Sequence, residues 1–167
     1  WAERGWISPL ENLPDDYNEA DLLASVRDGL SYDDTLHALP FYAESSMMYY
    51  RTDLFEEAGI EMSEQPTWEE VREWAGELHG SEEGLAGICL RGKPGWGENM
   101  AFVSTLVNTY GGRWFDEEWN PELNSEAWVN AIQFYVDLLN DYGPPGASSN
   151  GFNENLALFS RGNCAMW

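Results

Sequence analysis

The sequence predicts an α/β layered domain with a largely parallel sheet, on three observations. Helical stripes and short apolar runs alternate along the chain, the helices are of crossover length, and capping or breaking residues separate them. With 43% hydrophobic and 14% aromatic residues, the 167-residue chain can also bury a sizeable core.

The elements follow in order. Pro14-Asp15-Asp16 forms a turn, and Leu22, Leu23, Val26 and Leu30 mark one helical face. Leu36 to Ala43 and Met47 to Tyr50 read as strands on either side of Glu44-Ser45-Ser46. Asp53 to Ala58 is a short helix stopped by Gly59. Thr67 and Glu70 form a capping box for a helix whose Trp68, Val71, Ala75 and Leu78 share a face. Leu85 to Leu90 is a short buried strand that feeds the turn Arg91-Gly92-Lys93-Pro94-Gly95-Trp96-Gly97-Glu98-Asn99-Met100. A helix striped by Met100, Val103, Leu106, Val107 and Tyr110 leaves that turn and ends at Gly111-Gly112. Ser125 to Asn140 is amphipathic through Trp128, Ile132, Tyr135 and Leu139, and Gly143-Pro144-Pro145 closes it. Asn153 is expected to cap a last helix that ends at Gly162 and leads into a strand, Cys164 to Trp167.

Charge narrows the partners. Thirty acidic against eight basic residues give a formal net charge of −22, which repels phosphate backbones and anionic lipid surfaces and argues against nucleic acid. Seven of the eight cations are Arg, a bias that fits a salt-loving or a high-GC source, and Lys93 is the single Lys. No run reaches the roughly 18 apolar residues of a membrane span. The start at Trp1 and the stop at Trp167 inside a strand are expected of a piece of a longer protein. Cys89 and Cys164 lie on separate predicted strands; they are either a disulfide between neighbouring strands or two buried thiols.

The turn from Arg91 to Met100 holds two cations, a carboxylate, an amide and an indole, loosened by glycines, at a strand-to-helix junction where open α/β sheets bind ligands. Asn153-Glu154-Asn155 opens a helix as Glu98-Asn99 does, so both clusters sit beside free helix N–H groups and are expected to line one cleft. A sugar or alditol has an apolar C–H face and a fringe of hydroxyls. Trp96 offers a flat surface for the first, while Arg91, Lys93, Glu98 and Asn99 offer partners for the second. Simpler roles exist for each: Glu98, Asn99 and Asn153 as helix caps, Arg91 and Lys93 as solvated cations paired with nearby acids. Trp68, Trp74, Trp114, Trp119 and Trp128 read as core or surface stacking. Trp96, between two glycines, is hard to explain as core packing and reads as a ligand contact.

The residues resemble a known family. Tyr42, Glu44-Ser45-Ser46-Met47-Met48-Tyr49-Tyr50-Arg51-Thr52-Asp53-Leu54-Phe55, then Pro66-Thr67-Trp68-Glu69-Glu70, then Tyr110-Gly111-Gly112 are similar to the extracellular solute-binding proteins of sugar-importing ABC transporters, in order and spacing across essentially the whole chain. The Arg91 to Asn99 turn and the segment from Asn153 to Trp167 most resemble the sorbitol- and mannitol-binding branch. The resemblance implies a periplasmic-binding-protein-like fold of type II, here an incomplete one. Residues 1–43 would be the tail of the N-terminal lobe, 44–45 a hinge crossing, and 46–167 most of the C-terminal lobe, its sheet flanked by helices. It further implies closure about the hinge, a small carbohydrate or polyol ligand, a membrane permease as partner, and an extracellular or periplasmic location, with or without a lipid anchor. Tyr42, Glu44 and Ser46 would add contacts from the hinge side. A lone fragment of such a protein would bind weakly and expose surface prone to self-association.

A hydrolase that uses Glu44 and Glu98 as paired carboxylates is the competing reading. Against it, His37 and His79 lie far from the turn, Cys89 has no partnered His, and no metal-ligand spacing occurs. Asp15-Asp16-Tyr17-Asn18-Glu19 lacks the glycine of a calcium loop. Gly92, Gly95 and Gly97 match no nucleotide-binding spacing, so no cofactor is expected.

Overall fold

The computed structural model describes residues 1–167, which form two units, Trp1–Ser46 and Met47–Trp167. The first unit holds helix α1 (Ala24–Gly29) and a hairpin of β1 (Ser31–Tyr32) and β2 (Thr35–Leu36). Asp33 and Asp34 take φ of 49° and 58°, the left-handed pair that a two-residue hairpin turn requires and that a short polar side chain tolerates. Leu36 is the buried residue here, and its carbonyl accepts from the Leu10 amide at 2.8 Å.

Two sequence expectations fail in this unit. The helix is shorter than the Leu22 to Leu30 stripe, buries no residue, and leaves Leu23 exposed. Leu36 to Ala43 is not a strand beyond Leu36, because Pro40 lacks a ladder donor and Leu39, Phe41 and Tyr42 all face solvent, leaving no face to bury.

The second unit has α2 (Thr52–Ala58), α3 (Trp68–Leu78), β3 (Ala86–Ile88), α4 (Asn99–Thr109), α5 (Glu126–Tyr142), α6 (Phe152–Ser160) and β4 (Cys164–Met166). Strands β3 and β4 pair in parallel, with Ala86 opposite Cys164 and Ile88 opposite Met166. The Met47 to Tyr50 expectation becomes an extended segment on the far side of β4. Tyr49 and Trp167 exchange two 2.8 Å backbone bonds and Arg51 N–H donates to the Ala165 carbonyl, so this third edge is antiparallel.

Every residue of β3 and β4 is buried, as a sheet covered on both faces demands. One cover is the main core, where Val71, Trp74 and Leu78 of α3 and Phe134 and Leu138 of α5 pack with Ile88 and Met166. Gly87 permits the close approach: a Cβ there would lie 2.0 Å from the Ala75 carbonyl oxygen. The other cover is a smaller cluster of Ala86, Cys89 and Cys164 closed by Leu158, Phe159 and Trp167. Cys89 and Cys164 are joined in a disulfide, with their Cα atoms 5.9 Å apart. Closing a 75-residue separation, such a bond stabilises by roughly 2–4 kcal/mol.

Thr67 and Glu70 form the capping box the sequence predicts, through Thr67 Oγ1 accepting from Glu70 N–H at 3.2 Å and Glu70 Oε2 accepting from Thr67 N–H at 2.7 Å. The Thr67 amide, followed by the Thr67 hydroxyl donating to the same oxygen at 2.9 Å, holds the Glu70 carboxyl below its ordinary pKa.

Candidate functional site

The turn after β3 is tied down by backbone bonds on both sides of its tip, which makes it a firm mount for its side chains. Gly92 and Lys93 N–H both donate to the Asn150 carbonyl, at 3.0 and 3.1 Å. Only glycine fits at 92, since a Cβ would stand 2.2 Å from the Ala147 carbonyl oxygen. Asn99 turns the chain into α4: its N–H reaches the Lys93 carbonyl at 3.1 Å, and its Oδ1 accepts from Gly95 N–H at 3.1 Å. Tyr135 Oη donates to the Arg91 carbonyl at 2.6 Å; burial raises that phenol, and the Asn99 side chain opposes the shift.

The side chains then divide by what they touch. Trp96 is 92% exposed at the tip of the turn. Arg91 folds back, its Nη1 donating to the Gly97 carbonyl at 2.7 Å and its guanidinium lying 5.2 Å from the centre of the Phe152 ring. Glu98 occupies the position before α4 but makes no side-chain cap to that helix; its Oε2 accepts from Phe152 N–H at 2.9 Å, at the start of α6. Glu154 Oε2 accepts from Gly151 N–H at 2.9 Å. The Gly151 amide, reinforced by the Glu154 amide and the positive charge of Lys93, holds the Glu154 carboxyl below its ordinary pKa. Lys93 sits beside the start of α6 through its backbone, whose N–H is bonded to the Asn150 carbonyl.

The structure thus brings Arg91, Lys93, Trp96, Glu98 and Asn99 together with the start of α6. Tyr42, Glu44 and Ser46 lie exposed in the first unit. Asn153 is exposed, but it does not cap α6 as the sequence predicted. Gly151 is the cap, because the acid that returns to a cap sits three residues beyond it, and Glu154 is three beyond Gly151. Asn155 is fully buried, and neither of its amide side-chain atoms has a hydrogen-bond partner.

Sequence reasoning passed over Phe152. It is 43% exposed, carries Arg91 on its ring, and packs at 5.4 Å on Trp167, which in turn stacks on Tyr49 at 5.8 Å. The available signal was its chemistry, an apolar ring in the first turn of a helix otherwise opened by Asn153 and Glu154.

A cavity of about 770 Å³ lies elsewhere in this unit, between His79, Leu139 and the Pro144 to Ser148 turn. It shares Gly92 and Asn99 with the Arg91 turn but is not lined by Trp96, Lys93, Glu98 or Glu154, so it lacks the indole and most of the charged partners. No group of three or more His, Cys, Asp or Glu side chains is placed to hold a metal ion.

Against known proteins, the sequence matches the bacterial extracellular solute-binding protein family over residues 1–167. The chain belongs to that family. Its solute-binding relatives include a mannitol-binding protein of Pseudomonas aeruginosa, 60% identical over 167 residues, which make up all of this chain and 38% of the relative. Among solved structures, an ABC transporter solute-binding protein from Agrobacterium vitis with bound D-mannitol superposes with a TM-score of 0.84 at 55% identity, over all of this chain and 40% of that one. A second from Agrobacterium radiobacter, in complex with ribitol, gives a TM-score of 0.73 at 28% identity, over 88% of this chain and 36% of that one. The chain described here therefore spans about two fifths of the length of these relatives. Its α/β fold, with a small parallel sheet between helices, is that of periplasmic solute-binding proteins. No helix is long and apolar enough to cross a membrane.

Proposed function

We propose that the full-length protein is the extracellular substrate-binding component of an ABC importer for a sugar alcohol of the hexitol class, and that it binds rather than converts its ligand. In this reading residues 1–43 end the N-terminal lobe, 44–45 form a hinge crossing, and 46–167 make most of the C-terminal lobe. Tyr42, Glu44 and Ser46 would add ligand contacts from the hinge side. Trp96 takes the C–H face of the extended polyol; Lys93, Asn99 and the outer edge of Arg91 take hydroxyls, with Asn153 at the rim. The permease then receives the ligand from the open form.

The observation that carries this reading is Trp96, an indole 92% exposed on a turn held by backbone bonds at Gly92, Lys93, Gly95, Gly97 and Asn99. A large ring presented on a rigid mount beside two cations is arranged for a ligand with one apolar and one polar side. The 60% and 55% identities to mannitol-associated relatives point to the same ligand class. Bonds from hydroxyls to ionised groups are about twice as strong as neutral ones, which offsets removing water from several hydroxyls at once.

Calorimetry on the full-length protein tests the reading with mannitol, sorbitol, ribitol, glucose and maltose. Micromolar or tighter binding of a hexitol, with the disaccharide weaker, is expected. Silence across the panel, or a preference for maltose, would overturn the hexitol assignment.

A further inference from the structure

We infer that Glu98 serves the site as a positioning residue: its carboxylate fixes the distance between the Trp96 turn and the Phe152 ring, and Phe152 is a second apolar wall of the same site. The inference rests on the hexitol-binding reading and goes beyond it, since it assigns Glu98 to the protein rather than to ligand hydroxyls and adds Phe152.

Three observations converge on it. Glu98 is the last residue before α4, and Phe152 is the first of α6, 54 positions away; the 2.9 Å bond from Phe152 N–H to Glu98 Oε2 joins the two helix starts. Gly151 is shaped around the same carboxylate. A Cβ at 151 would stand 2.6 Å from both Glu98 oxygens, so the side chain fills the space that any other residue would claim. On the other side of the turn, Arg91 clamps Gly97 through its carbonyl and lies over the Phe152 ring. Trp96 is thus bracketed by two residues that both terminate on Phe152.

The chemistry favours a carboxylate in this role. The first N–H groups of a helix have no partner within it, and an anion there satisfies one donor and meets the positive end of the helix dipole. Glu154 already serves Gly151 N–H, so Glu98 takes the next amide along. An oxygen spent on a backbone amide, with its carboxylate pressed against Gly151, is poorly placed to follow a ligand hydroxyl. Phe152, 43% exposed, is backed by Trp167 and lies under the Arg91 guanidinium, which ties its ring to the turn. Two apolar walls at a fixed separation select a slim, extended polyol over a bulkier ring.

A double-substitution cycle in the full-length protein tests this, read both by mannitol affinity and by unfolding midpoint. Glu98→Ala and Gly151→Ala alone should each weaken mannitol binding about 10-fold, because each disrupts one and the same contact. Together they should still cost about 10-fold, since the second change meets no carboxylate once the first is made. Glu98→Gln keeps an oxygen for Phe152 N–H and should stay within about 3-fold of the parent. A product near 100-fold for the double variant, or a Glu98→Gln loss as large as that of Glu98→Ala, would overturn the positioning role and return Glu98 to direct ligand contact. Phe152→Ala should weaken mannitol more than it weakens glucose, and an equal loss for both would remove Phe152 as a selective wall. If the parent protein binds no polyol, the hexitol reading fails, and the unfolding midpoints still decide the contact itself: additive midpoints would refute it, non-additive ones would retain it.

Discussion

Two turns of the second unit each present an exposed tryptophan, and they differ in everything around it. Trp96, 92% exposed, stands among Arg91, Lys93 and Asn99, and its turn is tied to the start of another helix. Trp119, 78% exposed, stands beside Phe115 in a loop whose charged residues include Asp116, Glu117 and Glu118. Its backbone is held at φ of 66° by Asp116, whose carboxylate accepts from Glu118 N–H, Asn120 N–H and the Asn120 amide, at 2.7 to 3.0 Å. An exposed indole does not by itself mark a sugar site. The donors beside it do, because a polyol needs hydrogen bonds at its edge as well as contact at its face.

The largest expected effect tests whether the first turn is a rigid mount. Gly92→Ala places a Cβ against the Ala147 carbonyl oxygen and should destabilise the protein by about 3 kcal/mol in denaturant titration, whereas Gly97→Ala meets nothing within 4 Å and should be near neutral. Equal effects at the two positions would mean the turn is looser than its bonds imply.

Acid should separate the two turns next. The Asn120 side-chain amide, followed by backbone amides, lowers the Asp116 carboxyl, and the Gly151 amide lowers that of Glu154. A carboxyl lowered by folding contributes stability that is fully present above its unfolded pKa and is lost as pH falls through the folded value. The unfolding midpoint should therefore drop below about pH 4, with Asp116→Asn and Glu154→Gln each removing part of that slope. Of the two, only Glu154→Gln should also change polyol affinity, because Glu154 holds the Gly151 amide next to the Phe152 amide that Glu98 of the Arg91 turn takes, whereas Asp116 bonds only within its own loop.

A smaller effect is expected from salt. With a net charge of −22, self-repulsion opposes the compact state, and sodium chloride should raise the unfolding midpoint by screening it. Mannitol affinity should change little, since the ligand is neutral; a steep loss with salt would assign the Arg91 turn to an anionic ligand instead.

What the sequence made legible follows from which interactions are local. The capping box at Thr67 and Glu70 and the buried strand before Arg91 are written in neighbouring residues, and the structure contains both. The α5 helix is written there too, but its buried face runs through Trp128, Ala131, Phe134, Tyr135 and Leu138, with Ile132 exposed and Leu139 half-buried, because the core packs against a face rotated from the Ile132 and Leu139 stripe. Met47 to Tyr50 was readable as extended, but not its antiparallel place against β4, since pairing direction depends on a strand more than a hundred residues away. Phe41 and Tyr42 read as strand because aromatic residues favour sheets, yet Pro40 and the lack of a buried face prevail there. In the candidate site, the exposure of Trp96 was legible from its two flanking glycines. Glu98 was legible as a cap but not as the cap of another helix, and Phe152 was missed, because both roles arise only when residues 98 and 152 are brought within bonding distance.

The comparison of the two tryptophans yields the most direct test. In the full-length protein, Trp96→Ala should weaken mannitol binding by about 10- to 100-fold in calorimetry, roughly 1.4–3 kcal/mol, while Trp119→Ala should leave the affinity within about 2-fold of the parent. Unchanged binding in Trp96→Ala, or an equal loss in Trp119→Ala, would contradict the assignment of the Arg91 turn as the ligand-bearing face of this lobe.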